Sequence, residues 1–139
     1  MLKLENTTYR YWIKTILTIA IALVWLINGL FCKVLNLVPR HQLIVSRILG
    51  EYNSGILTKI IGVSEILMFA WIISEKRSRL CAITQIIVIA TMNVIEFFLA
   101  PDLLLFGRLN IVLAMTLIFV IYVNEFAINK RVPKISNGN

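Results

Sequence analysis

Four long apolar runs dominate the chain, separated by polar stretches of unequal length. They cover about residues 12–35, 55–73, 80–100 and 107–126. Each has roughly the 20 residues that an α-helix needs to cross a hydrocarbon core of ~30 Å. None alternates with period two, so the pattern predicts helices and not a membrane barrel. The expected fold is an all-α membrane protein, a bundle of four transmembrane helices over residues 1–126. Residues 127–139, "AINKRVPKISNGN", read as a basic cytoplasmic tail with little to bury. A cleaved signal peptide competes for the first run. That run is too long for one, and no small-x-small site precedes Lys33, so a retained helix is expected.

Only one connection between the runs is long, residues 36–54. Its stretch "PRHQLIVSRILG" predicts a short amphipathic helix between spans 1 and 2. Pro39 suits the first turn and Gly50 the stop. Leu43, Ile44, Ile48 and Leu49 fall near one side, with Arg40 and Arg47 elsewhere. Such a helix either rests at the membrane interface or caps a cavity between the spans.

Composition agrees with the pattern. Hydrophobic residues make up 59% of the 139 residues, and mean hydropathy is +0.85. A soluble chain of this length needs far more polar surface. The net charge of +7 therefore does not indicate nucleic acid as a partner. It orients the spans instead. Lys3, Arg10, Lys14, Lys76, Arg77, Arg79, Lys130, Arg131 and Lys134 fall on one side. Lys33, Arg40, Arg47, Lys59 and Arg108 fall on the other. The excess predicts both termini in the cytoplasm, and a bacterial-type inner membrane is the expected location. Cys32 and Cys81 are far apart and form no CxxC or Cys/His group, so no metal site is expected. The single histidine, His41, reads as a surface residue and leaves no pair for haem.

The polar residues inside the runs share a depth. At 1.5 Å per residue from the cytoplasmic ends, Asn28, Lys59, Asn93, Glu96, Asn110 and Arg108 all lie about 20–26 Å up their helices. Glu65 lies about 14 Å up, near the midplane. An ionised acid there costs about 2.5–3.5 kcal/mol on insertion scales unless it is paired or protonated. Glu65 and Glu96 are therefore expected to face the interior, near some of Lys33, Lys59 and Arg108. Trp25, Gly29 and Lys33, spaced i, i+4 and i+8, form one stripe. The candidate ligand-binding set is Trp25, Asn28, Gly29, Lys33, Lys59, Glu65, Asn93, Glu96, Arg108 and Asn110, a polar pocket in the outer half. A structural ion-pair lock accounts for the same residues. No nucleophile–base pair is recognisable, so the chain leans away from being an enzyme.

The stretches "VWLINGLFCK", "GVSE" and "PDLLLFGRLN" resemble the DoxX-like family of small four-helix membrane proteins. The likeness covers about residues 15–125 and singles out Trp25, Gly29, Lys33, Glu65 and Asn110. Gly62, Pro101 and Gly107 share in it. The resemblance implies a link to quinone-reactive membrane oxidoreductases and dehydrogenase-like partners. The expectation is an accessory or binding subunit of a quinone- or lipid-linked redox system. A quinone or a lipid would be its ligand, with no covalent or metal-held cofactor. Membrane lipids, a membrane oxidoreductase and a second copy of the chain are the partners considered. A small dimeric proton-coupled transporter and a ligand-free assembly subunit are the alternatives. The first span has no acid of the kind on which four-helix exporters depend, which weighs against the transporter.

Overall fold

The computed structural model describes residues 2–104 and 106–129, with side chains from Thr7 onward except that of Arg108. Residues 130–139 of the basic tail, and with them Lys130, Arg131 and Lys134, lie outside the described residues. Among the described residues, five α-helices carry the fold. α1 spans Leu2–Leu26 and continues as a π-helical segment over Ile27–Val34. α2 is the short helix Arg40–Leu49. α3 spans Ser54–Ser74 and α4 spans Ser78–Leu99. α5 spans Asn110–Tyr122 and continues as a second π-helical segment, Val123–Ile128. α3 and α4, and α1 and α5 together with their π-helical continuations, are long and apolar enough to cross a membrane. This is the integral membrane bundle that the sequence pattern predicts. Its helix bounds lie within about three residues of the apolar runs, except that α1 begins well before position 12.

The helices turn most of their apolar surface outward. Ile16, Leu67 and Phe119 are each more than 60% exposed. In water such a surface would aggregate; in lipid it is the solvated face. The core is correspondingly thin. Ile21, Ala22, Trp25, Ile72, Cys81, Ala82, Ile89, Ala114 and Ile121 form it, and small residues recur there because close helix approach replaces hydrophobic drive. Tyr9, Tyr11 and Trp12 stay exposed near the start of the first span, as an interfacial aromatic group does.

The bundle has two different ends. At the turn end, α3 and α4 are joined by three residues, of which Glu75 and Arg77 adopt left-handed φ values of 51° and 49°. Two contacts hold this turn. The Trp71 Nε1–H donates to the Lys76 carbonyl at 2.8 Å, and Lys14 pairs with Glu75 at 3.0 Å.

At the cap end, α2 packs on α3 and reaches α4 and the end of the first span. Ile44 and Val45 are buried beneath it. Pro39 precedes its first turn, and Gly50, at φ 96°, ends it in a backbone conformation that a side chain resists. Arg47 pairs with Asp102 in the α4–α5 connection. The Arg47 guanidinium holds the Asp102 carboxyl below its ordinary range. Asn36 donates to Gln42 at 3.2 Å. α2 thus docks on the end of the bundle.

Tight backbone contact sets the spacing of α1 and α3. A Cβ built on Gly62 would lie 2.7 Å from the Gly29 carbonyl oxygen and 2.9 Å from Lys33 Cβ. One on Gly29 would lie 2.6 Å from the Gly62 carbonyl oxygen. No side chain fits at either position without separating the helices. Gly62→Ala should therefore destabilise the protein by about 1–3 kcal/mol, while Val63→Ala, on an exposed position of the same helix, should cost much less. Thermal unfolding in detergent measures both; equal midpoints would contradict the contact.

His41 corrects its expected surface position. It is half-buried, and burial together with Lys33 and Arg40 lowers its pKa to about 4. Undocked, it would titrate near the ordinary imidazole value of about 6.5. The undocked state therefore binds more protons between these values, so docking of α2 weakens as pH falls through that window. Amide exchange in α2, corrected for its intrinsic rate, should accelerate between about pH 7 and about pH 5, and His41→Asn should flatten the change. Unchanged protection across that range would overturn the assignment.

Candidate functional site

The direction of each chain decides which charges meet. Helical side chains lean toward the N-terminus of their own helix. Lys33 stands at the cap end of the first span and leans toward the membrane centre. Glu65 sits mid-span on an antiparallel helix and leans toward the cap. Gly29 is four residues from Lys33 and Gly62 three from Glu65, so the glycine contact and the charges share one seam. The Lys33 ammonium donates to both oxygens of Glu65, at 2.7 and 2.8 Å. Both side chains are largely enclosed, 9% and 15% exposed. The charge-assisted, two-oxygen contact offsets a desolvation cost that either partner alone would carry.

Lys33 lies in the π-helical segment. The Leu35 N–H donates five residues back to the Leu30 carbonyl, at 2.9 Å. The wider turn rotates this stretch relative to a continuous α-helix, and such turns cluster at functional positions. The opening amide, glycine and ammonium of "INGLFCK" thus belong to one local distortion.

Around the pair, the candidate residues separate. Glu96 is half-buried and lies in the electrostatic reach of Lys33, Glu65 and Arg40. It forms no ion pair within 4.0 Å among the described side chains. Asn93 and Asn110 join α4 to α5: Asn110 Nδ2 donates to Asn93 Oδ1 at 3.0 Å, and Asn93 Nδ2 donates to the Ile89 carbonyl at 2.9 Å. Asn28 is half-buried on the same segment as Lys33. The Arg108 side chain lies outside the described residues.

Two placements correct the expected set. Lys59 is exposed on α3. The buried line of that helix runs through Ser54, Thr58 and Gly62, and residue 59 is about 100° from residue 58. At the helix end, its long stem can carry the ammonium to the interface. Trp25 is buried but does not join the Lys33 layer. Its Nε1–H donates to Gln85 Oε1 at 2.9 Å, in the other half of the bundle.

Two groups escaped the sequence reading. Arg40, on α2, has its Nε enclosed with no hydrogen-bond partner. Periodicity alone placed it away from the apolar face, and only the docking of α2 encloses it. The second group, Asn124 and Glu125, stood out only as the end of the fourth run. Both are buried, in the second π-helical segment. They line a cavity of about 40 Å³ at the turn end with Lys14, Trp71, Cys81 and Gln85. This cavity lies at the turn end, away from Lys33. Among the described residues, no cluster of three or more His, Cys, Asp or Glu is placed to hold a metal.

No curated protein and no solved structure matches the chain. A family profile does, over residues 22–123, which include the glycine seam, the Lys33–Glu65 pair, α2 and both asparagines of the α4–α5 bridge. With most of its length matched and four membrane-spanning helices, the chain belongs to the DoxX-like family.

Proposed function

We propose that the protein is an accessory, ligand-holding subunit of a quinone- or lipid-linked redox system. Its ligand would be amphipathic, with an oxygen-bearing head under α2 and a tail along the apolar bundle. The observation that carries this reading is the enclosed Arg40 Nε without an acceptor. A buried donor of this kind costs free energy until it is matched. A quinone carbonyl or a lipid phosphate supplies the missing oxygen, and Arg favours such partners. Glu96, near Arg40 but in no ion pair with a described side chain, supplies an acceptor to a hydroxylated head. The Lys33–Glu65 pair fixes the floor of the layer and leaves neither charge in lipid. In this reading electrons are carried by the quinone and a membrane oxidoreductase partner. The excess of Lys and Arg at the turn end orients that end to the cytoplasm of a bacterial-type inner membrane.

A second reading, a small dimeric proton-coupled transporter, draws on acids enclosed in both halves, half-buried Glu65 and buried Glu125. It requires proton-driven uptake in liposomes.

The binding reading is tested by gentle purification, solvent extraction and mass spectrometry. The wild-type protein should retain a quinone or a lipid species enriched over the bulk membrane. Arg40→Gln should lose most of it and Lys59→Gln should keep it. An extract indistinguishable from bulk lipid, or equal retention by Arg40→Gln, would overturn the reading.

A further inference from the structure

The turn-end cavity lies outside the Lys33 layer and differs from it in chemistry. It opens between the four spans near the α3–α4 turn and reaches Gln85. Gln85 is seven residues beyond Ser78, about 10 Å along α4. The Trp25–Gln85 hydrogen bond closes its inner end.

The free valences of this cavity are acceptors. Asn124 is 8% exposed, and its Nδ2 donates to Thr18 Oγ1 at 3.0 Å. Its Oδ1 is buried without a partner. Glu125 is 7% exposed. It accepts from the Ser78 hydroxyl at 2.8 Å and from Asn129 Nδ2 at 3.1 and 3.0 Å. Among the described side chains, no cation pairs with it within 4.0 Å. A carboxylate has about four lone-pair sites, so acceptor capacity remains after these bonds. The cation at the mouth, Lys14, is neutralised by Glu75 at 3.0 Å. The charge balance of the lining is therefore negative, with an amide oxygen left over.

Size narrows the occupant. A cavity of about 40 Å³ holds two or three waters, and is far below the ~150 Å³ that admits a benzene ring. A quinone ring does not fit. A compact donor with a positive charge does.

We propose that the turn-end cavity is a binding site for a primary ammonium group, held by Asn124 Oδ1 and the Glu125 carboxylate. Its N–H donors match the orphan amide oxygen and the one carboxylate position that three bonds leave open, and the charge matches the lining. The same chemistry comes either from a small free amine or from the ethanolamine headgroup of a lipid entering at the turn end.

Direct binding to the purified full chain in detergent tests the site by isothermal titration calorimetry. Methylammonium should bind saturably, one per chain, while the bulkier tetramethylammonium at equal ionic strength should not. Glu125→Gln keeps the shape and should weaken methylammonium binding by about tenfold or more, with thermal unfolding showing that the variant is folded; Asn124→Leu should weaken it as well. A higher unfolding midpoint in phosphatidylethanolamine than in phosphatidylcholine nanodiscs, lost in Glu125→Gln, assigns the headgroup as the source. Methylammonium binding without that lipid difference assigns a free amine. No saturable binding from either amine source, or binding unchanged in folded Glu125→Gln and Asn124→Leu, would overturn the site.

Discussion

The backbone contact between Gly29 and Gly62 is the constraint on which the cap half of the bundle depends. It brings α1 and α3 closer than any side chain would allow. Only at that distance do Lys33 and Glu65, leaning toward each other from antiparallel helices, meet with both carboxylate oxygens engaged. The membrane makes this geometry decisive. An unpaired charge near the centre carries an insertion cost of a few kcal/mol, with no water to offset it. The glycines therefore do electrostatic as well as steric service. The pair in turn fixes the register against which α2 docks, and α2 encloses Arg40 and His41 beside Lys33.

The two halves of the bundle repeat one device with opposite chemistry. Each places a π-helical segment where a buried polar group must be turned into the interior: Lys33 in the first span, Asn124 and Glu125 in the last. At the cap end the unmatched atom is a donor, Arg40 Nε; at the turn end it is an acceptor, Asn124 Oδ1. Between them runs the thin Ala-containing core and the Trp25–Gln85 hydrogen bond. A molecule bound at one end thus meets complementary chemistry quite unlike that at the other.

The spans were legible because apolar length is a strong signal in a membrane protein, where the backbone must bond within each helix. α2 was legible from Pro39 and Gly50, two residues whose backbone preferences mark a helix start and stop. Depth arithmetic set Glu65 below the basic residues and named Lys33, Lys59 and Arg108 together as its candidate partners; the lean of the two side chains toward each other closes the gap to Lys33. The arithmetic did not separate Lys33 from Lys59, because depth is one coordinate and azimuth another. Azimuth was written in the small residues Ser54, Thr58 and Gly62, whose row faces the bundle and leaves Lys59 outside. The turn-end pair Asn124 and Glu125 was hidden for a different reason. Position 125 looked like the end of a span, and a π-helical turn has no sharp sequence mark. Trp25 shared a stripe with Gly29 and Lys33, but its partner Gln85 lay on another helix, beyond the reach of local spacing.

The central claim, that the glycine seam holds Lys33 against Glu65 within the membrane, is tested most directly by a distance. Solid-state NMR of the protein in lipid bilayers, with ¹⁵N-lysine and ¹³C-glutamate labels, measures the dipolar coupling between the Lys33 ammonium nitrogen and the Glu65 carboxyl carbon. Contacts of 2.7 and 2.8 Å to the two oxygens require a strong coupling, lost in Lys33→Met and weakened when Gly62→Ala pushes the helices apart. A bilayer spectrum in which no lysine nitrogen couples to the Glu65 carboxyl carbon would contradict the account.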